Sequence, residues 1–350
     1  MPHNFYITHD KISLPTGGGI VTKHESEAFS TLGPCEVWDR DQLGGGGGEP
    51  WKWDDVACCK KDFFVIRPKL CHFYSGTWPK TVDVLKRNGS IVVMTIAAHS
   101  VEVSKREHEK LGFGFNLSHL TDPELWKRYI EGYRLADVIV VPGSVPKRTV
   151  QQYGPDFENK DIRIIHHGCN IPPEVKSLPD RFTVGYLGSF GADKGVVYLL
   201  QAWKKLNYQD ATLILGGRDS TSIWGRQLIT QLGGGNIIVK GWVNDVSEFY
   251  NEISLFCCPA ATEGFNCEVL ESQAHSRTVI CSRGAGAVDL VPPSHTVDAC
   301  SEDQLAEKID EAKKIWDLEA RGKQAREVAE LYTWDLIKQK YLELWKEMIS

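Results

Sequence analysis

Short apolar runs recur along the chain, separated by longer stretches in which apolar positions return every three to four residues. The first spacing predicts buried strands and the second amphipathic helices. In the first half, strands are expected near Phe5 to Thr8, Cys35 to Trp38, Leu70 to Tyr74, Ser90 to Ile96, Val138 to Val141 and Arg163 to His166. Helices are expected near Ile20 to Leu32, Trp78 to Arg87, Val101 to Leu111, Pro123 to Leu135 and Val145 to Tyr153. The second half repeats the alternation, with strands at Thr183 to Leu187, Thr212 to Leu215, Asn236 to Val239, Ser254 to Cys258 and Thr278 to Cys281, and helices near Gly195 to Leu206 and Glu302 to Trp316. Strands alternating with helices predict parallel sheets covered on both faces, here twice over. The proline-rich stretch from Asn170 to Asp180 reads as the linker, and Trp334 to Met348 as a final helix.

The most informative segment is Thr262-Glu263-Gly264-Phe265-Asn266-Cys267-Glu268-Val269-Leu270-Glu271-Ser272. Pro259 ends the preceding strand, and Asn266 to Ala274 reads as a helix, so Glu263 falls on the loop and Glu271 two turns into the helix. A helix start opening onto a loop presents unpaired N–H groups and a positive dipole end, which suits a phosphate. The pattern suggests a nucleotide-linked ligand held by its diphosphate and its hydroxyls. Glu268, in the first helical turn, reads as a solvated acid that complements the dipole.

This segment resembles the Glu-x7-Glu signature of retaining glycosyltransferases of the GT-B fold, close to family 4. The likeness extends, in the family's usual order, to Val184-Gly185-Tyr186-Leu187-Gly188 followed by Lys194-Gly195, to Leu213-Ile214-Leu215-Gly216-Gly217, to Asn236-Ile237 with Gly241-Trp242-Val243, and to Thr278-Val279-Ile280-Cys281-Ser282. It covers roughly residues 182 to 291, and more loosely Pro15 to Gly19, Ala98-His99-Ser100, Ala136 to Pro142 and His167 to Asn170.

The resemblance implies two Rossmann-like domains facing across a cleft. Residues 1–170 would form the acceptor side, 171–181 the linker and 182–331 the domain for the nucleotide-sugar donor, with 332–350 a helix crossing back to the first domain. It implies transfer of a sugar from a nucleoside-diphosphate donor, UDP- or GDP-linked, with no metal or other cofactor required. Lys194 would be the cation on the diphosphate, and the N–H groups of Phe265, Asn266 and Cys267 would meet the phosphate. Glu263 would accept from the donor sugar's hydroxyls and Glu271 from the ribose, while His99 would sit beside the sugar. Gly188, Ser189, Gly217, Arg218 and Gly264 would complete the donor site, and Gly241, Trp242 and Val243 would form the base pocket. The family often has an arginine five positions before its lysine, where this chain has Ser189; Arg218, Arg283 or backbone amides are the alternatives. Gly17, Gly18 and Gly19 read as a tight loop where side chains would block a phosphate or sugar. The run Gly44 to Gly48 followed by Trp51-Lys52-Trp53 reads as a mobile loop with an aromatic tip, on whose Trp51 and Trp53 an acceptor would stack or which core tryptophans would anchor.

Composition narrows the class. At 350 residues and 42% hydrophobic content the chain can bury two cores. No apolar run reaches the twenty or so residues of a membrane span, and the first residues lack the pattern of a signal peptide, so a cytoplasmic location, with peripheral attachment to a membrane as a variant, is expected. The ten cysteines lack framework spacing and read as free thiols; Cys58, Cys59, Cys71 and His72 lack the paired spacing of a zinc site. Lysine plus arginine balance aspartate plus glutamate at 21 each in residues 1–170, so the net charge of −6 resides in the second half. Basic pairs such as Lys105-Arg106 leave room for an anionic acceptor, but no basic stripe marks a nucleic-acid binder.

Three readings follow. The first is a transferase acting on a glycan, lipid or small molecule. The second is one that modifies a hydroxylated base in DNA or RNA, and the third an inactive nucleotide-sugar-binding protein. The presence of Glu263, Glu271 and Lys194 argues against the third, and neither half supplies the clean Gly-x-Gly-x-x-Gly turn of a dinucleotide oxidoreductase.

Overall fold

The computed structural model describes residues 4–8, 10–13, 16–39, 41–43, 50–59, 67–74, 76, 78–111 and 122–350. In chain order the first elements are β1 (Asn4–Thr8), α1 (Gly17–Phe29), β2 (Cys35–Trp38), α2 (Pro50–Ala57), β3 (Leu70–Tyr74), α3 (Pro79–Arg87), β4 (Ile91–Thr95), α4 (Val101–Leu111), α5 (Pro123–Leu135), β5 (Val138–Val141), α6 (Ser144–Gln151) and β6 (Asp161–Ile164). The chain continues through β7 (Phe182–Leu187), α7 (Val196–Leu206), β8 (Ala211–Gly216), α8 (Ile223–Leu232), β9 (Ile237–Gly241), α9 (Val246–Asn251), β10 (Leu255–Cys258), α10 (Cys267–Ala274), β11 (Thr278–Ser282), β12 (Thr296–Val297), α11 (Glu302–Lys314), α12 (Leu318–Glu330) and α13 (Trp334–Ile349).

Two compact units result. The first comprises Met1–Ala98, Asn116–His167 and Trp334–Ser350, and the second His99–Phe115 and Gly168–Thr333. Each contains a six-stranded sheet, ordered β2-β1-β3-β4-β5-β6 in the first and β12-β11-β10-β7-β8-β9 in the second. Every strand pairing is parallel. This is the expected α/β architecture of two Rossmann-like domains. Strands such as β5 and β10 are buried along their whole length, which is why they read as continuous apolar runs rather than alternating ones. The stretch expected as a linker carries no helix or strand and is bonded into the second unit. Arg326 donates to the Pro172 carbonyl at 2.9 Å, and Arg277 to that of Lys176 at 2.9 Å.

The last helix, α13, belongs to the first unit and is fixed there by a buried polar network. The Trp345 indole can only donate, and it does so to His72 Nδ1 at 3.0 Å. The neutral ring's proton therefore sits on Nε2, which faces the Glu25 carboxylate at 3.2 Å. Tyr6 donates to the same carboxylate at 2.8 Å, and Thr95 and Tyr341 hydroxyls meet at 3.2 Å. Glu25 and His72 are 2% and 0% exposed, so each of these bonds replaces water that cannot reach them.

Three expectations need correction. Gly17, Gly18 and Gly19 do not form a loop: they are the first turn of α1, because Thr16 caps the helix by accepting from the Gly19 N–H at 3.2 Å. A Cβ on Gly18 would lie 2.6 Å from an Asp10 carboxylate oxygen, so the missing side chain makes room for Asp10. Trp51 and Trp53 lie in α2, not on a loop tip, while Gly44 to Gly48 lie outside the described residues. The Trp53 ring is 7% exposed and belongs to the core cluster with Phe5 and Trp38, so it offers no face to an acceptor. The neighbouring Asp54 carboxylate holds α2 against the start of α3, accepting from the Thr81 N–H at 2.8 Å and the Lys80 N–H at 3.0 Å. β6 also begins two residues earlier than expected, because Asp161 and Arg163 take the face opposite Ile162, where Arg163 pairs with Glu347 of α13 at 2.6 Å, while Ile162 carries the core face.

Replacing Trp345 with phenylalanine would leave His72 Nδ1 buried without a donor, at a cost of about 1–3 kcal/mol. Urea unfolding of the Trp345→Phe protein should show that loss; an unchanged midpoint would remove the network from the account of α13.

Candidate functional site

The site lies in the second unit, at the carboxyl ends of β7, β8 and β10, where open parallel sheets characteristically bind ligands. The loop between β10 and α10 is held from two sides by backbone bonds. Ala261 N–H donates to the Asp193 carbonyl at 2.8 Å, Glu263 N–H to that of Gly284 at 3.1 Å, and Ala287 N–H to that of Phe265 at 2.6 Å. These approaches require glycine at three places, one of them Gly284, where a Cβ would stand 2.3 Å from the Ala261 carbonyl oxygen. A Cβ on Gly195, whose φ is +72°, would stand 1.9 Å from the Pro259 carbonyl oxygen, and one on Gly286 1.9 Å from that of Gly264. Gly195 also lets the turn Ala192–Lys194 reverse into α7, which brings Lys194 over the loop.

Lys194 and Glu263 form an ion pair, each side chain about one-quarter exposed. The expected phosphate cation and the expected sugar-binding carboxylate are therefore one neutralised pair in the unliganded protein. Asn266 precedes α10 in the left-handed region, at φ 80°, a conformation asparagine tolerates better than most residues. Its side chain makes no capping bond, and Oδ1 is buried without a hydrogen-bond partner. Asn266 thus leaves the N-cap position of α10 without a side-chain bond, although the first-turn Glu268 carboxylate meets its own N–H.

Glu271, at the start of the second turn, is half-buried and accepts from the Tyr250 hydroxyl at 2.9 Å. Burial, reinforced by the nearby Glu268, pushes its carboxyl up to about 7, against the Tyr250 bond that favours the ion. Glu268 is not the solvated acid expected from the sequence: it is half-buried, and burial raises its pKa, offset in part by its own N–H and by Lys194. The reason is α10 itself, whose first turn is covered by Tyr250 and the 259–266 loop.

Strand-end glycines shape the rest. Gly217, at φ 120°, donates to the Gly241 carbonyl at 2.7 Å, and Gly188 donates to that of Gly216 at 3.1 Å. A Cβ on Gly217 would stand 2.0 Å from the Gly188 oxygen, so these loops touch through bare backbone. The Ser189 carbonyl accepts from the Tyr186 hydroxyl at 2.7 Å. Of the alternatives for the family arginine, Arg283 is committed to Asp298, while Arg218 is exposed beside Gly217. Trp242 is 57% exposed, an unusual state for so large an apolar ring, and Val243 packs beneath it towards Gly216.

His99 counts with this unit rather than with the strand that precedes it. The N–H of the next residue, Ser100, donates to Thr262 Oγ1 at 2.8 Å, so the His99 segment is tied to the loop that carries Glu263. α4 is held likewise, its Glu107 meeting Tyr198, Arg106 and Lys110. The roles of Thr262 and Tyr250 escaped the sequence reading: Thr262 opens the Glu263 segment but was given no part in it, Tyr250 sits in no motif, and only tertiary contact reveals their partners. Among the described residues no group of three His, Cys, Asp or Glu is placed to hold a metal. None of the helices there is long and apolar enough to cross a membrane.

Residues 181–313 match the family Glycosyl transferases group 1. The capsular polysaccharide biosynthesis glycosyltransferase CapM of Staphylococcus aureus is 31% identical over 142 residues, 39% of this chain and 37% of that protein. An uncharacterized glycosyltransferase of Haemophilus influenzae is 25% identical over 303 residues, 83% of this chain and 82% of its own. Among solved structures, the sucrose-phosphate synthase of Thermosynechococcus elongatus superposes with a TM-score of 0.78 at 17% identity, covering 99% of both chains. Anabaena Alr3699/HepE in complex with UDP-glucose gives 0.69 at 16% identity, covering 99% of both. The fold is GT-B, and with the matched domain it supports a GT-B glycosyltransferase.

The displaced carboxyl predicts a pH signature. With Glu271 raised from 4.5 to about 7, its contribution to stability is full below 4.5 and is lost as pH rises through 7, by about 3 kcal/mol in all. Thermal melts of the unliganded protein should therefore fall between pH 5 and 8 by more than those of Glu271→Gln; parallel slopes would contradict the assignment.

Proposed function

We propose that this chain is a retaining glycosyltransferase that moves a sugar from a nucleoside-diphosphate sugar, UDP- or GDP-linked, to the hydroxyl of a glycan, lipid or small molecule. The observation that carries the reading is the Lys194–Glu263 pair beside the uncapped start of α10. A diphosphate arriving there gains the helix end and Lys194 together, and in doing so frees Glu263 to accept from the sugar's hydroxyls. A partly exposed pair is worth about 0–1 kcal/mol, so exchanging it for phosphate costs little. The ribose hydroxyls donate to Glu271, the base rests on Trp242 and Val243, and Gly188, Gly217 and Gly264 let backbone approach the ligand.

In the chemical step the bond from the anomeric carbon to the diphosphate oxygen breaks, with its electron pair leaving on the diphosphate. The acceptor oxygen bonds to the same face of that carbon, and its proton passes to the departing phosphate oxygen. Lys194 and the N–H groups of α10 stabilise the leaving charge, which is electrostatic catalysis by groups already in place. His99 supports the sugar, and no metal is required. The donor half comprises residues 182–331 and the acceptor is chosen by residues 1–170. HepE was solved with UDP-glucose, and CapM is named for capsular polysaccharide, which agrees with a nucleotide sugar and a glycan. Nothing in these relatives favours a nucleic-acid acceptor. A cytoplasmic location, with or without peripheral membrane contact, suits a nucleotide-sugar donor.

Calorimetry with UDP and GDP tests the roles. Glu271→Gln should weaken the preferred diphosphate about tenfold, roughly 1.4 kcal/mol, and should abolish the rise in affinity that the wild type shows as pH increases through 7. Glu263→Gln should bind the diphosphate no more weakly than wild type while losing sugar transfer. Equal losses of binding in both variants would sink the assignment. Turnover should also survive a chelator; its complete loss, restored by magnesium or manganese, would overturn the metal-free reading.

A further inference from the structure

The first unit contains a cavity of about 680 Å³, within the size range of small-molecule sites. One wall is a face of α1: Gly19, Ile20, Lys23, Ser26 and Glu27 recur at helical spacing and so line one side of it. Opposite stand Ile12 and Ser13, between β1 and α1, with Val37 of β2 and the turn that follows it. That turn is fixed by its own bonds. Asp39 N–H donates to Gln42 Oε1 at 3.1 Å, Asp41 N–H to Asp39 Oδ1 at 2.9 Å, and Leu43 N–H to the Asp39 carbonyl at 3.1 Å. Leu43 is 1% exposed and anchors the turn in the core, so this wall is formed in advance of any ligand.

The lining chemistry selects among ligands. Lys23 is balanced by Asp39, and Glu27 is already held by Lys338 at 2.8 Å, so the wall carries no surplus positive charge with which to collect phosphate, nucleotides or anionic lipid headgroups. None of the described lining side chains is aromatic, so a nucleobase finds no stacking platform. What remains is a strip of apolar surface from Ile12, Ile20 and Val37, bordered by serine hydroxyls and by the Gln42 amide, whose oxygen is already used and whose NH2 is left to donate. Carboxylates accept and amides donate, while serines do both. Neutral polyhydroxylated molecules with apolar C–H faces match that set.

We infer that this cavity is a subsite for a neutral saccharide, the part of the acceptor that lies beyond the hydroxyl being glycosylated. The inference rests on the transferase reading for its purpose, and on the cavity alone for its ligand. It differs from the proposed donor site in charge: there a cation and a helix end collect phosphate, here Lys23 is matched by Asp39 and Glu27 by Lys338, and no surplus cation does so.

Methyl NMR of the full chain reads the cavity directly, without turnover. Maltose, lactose and cellobiose serve as probes, with inorganic phosphate as the charged control. At least one disaccharide should shift the methyl signals of Ile12, Ile20 and Val37 in a saturable way, while phosphate leaves them in place. Gln42→Ala should weaken that titration about tenfold, and Ile20→Trp, which fills the cavity, should abolish it. Both variants should leave the UDP- or GDP-induced shift of Val243 unchanged, and that shift tests the donor reading on the same samples. Unmoved methyls with every disaccharide, or a stronger response to phosphate, would overturn the inference, as would undiminished titration in both folded variants.

Discussion

Close backbone approach is the constraint on which the site depends. The 259–266 loop is pressed between the turn carrying Lys194 and the turn after β11, and at Gly195 and Gly286 the separation leaves no space for a Cβ. Any side chain there would push the loop outward and part Lys194 from Glu263. Hydrogen bonds from Ala261, Glu263 and Ala287 lock the same geometry, so the site's polar groups are aimed before a ligand arrives.

The charges in this frame are balanced for exchange. In the unliganded protein Lys194 is satisfied by Glu263, while burial and Glu268 push the Glu271 carboxyl up to about 7. Neither arrangement stores much energy in a bond that must be broken. In the proposed reading a diphosphate takes the place of Glu263 on Lys194, and ribose hydroxyls add donors to the one Glu271 has from Tyr250. On that proposal ligand binding completes an electrostatic set that the empty site satisfies only in part, with the helix end of α10 favouring an anion.

The first unit solves a different problem. Its terminal helix is held by a buried polar network around His72 and Glu25, more specific than an apolar contact of equal area, because hydrogen bonds there demand particular partners in particular directions. On the same α1 that carries Glu25 inward, Lys23 and Glu27 face outward to the cavity. One helix thus fixes the C-terminal segment through Glu25 and through Glu27, which pairs with Lys338 of α13, and also lines a ligand-sized recess.

The chain's own pattern determined the strands, because parallel strands buried on both faces must be continuous apolar runs, and most helices, whose periodicity is unbroken. It determined the loop-to-helix junction at Asn266 and the two carboxylates around it, since Pro259 stops the strand and the helical spacing follows. Local signals misled where tertiary packing overrode them: the glycines after Thr16 became a helical turn because a threonine caps it, and Trp53 went inward because α2 docks on α3 through Asp54. Pairings between residues distant in sequence were decided by the tertiary structure alone. Lys194 with Glu263, Tyr250 with Glu271, Thr262 with Ser100 and Trp345 with His72 each join separate elements, and nothing in local propensity records which elements will meet. Burial of Glu268 and the elevated carboxyl of Glu271 belong to that class too, because desolvation is a property of the surroundings and not of the residue.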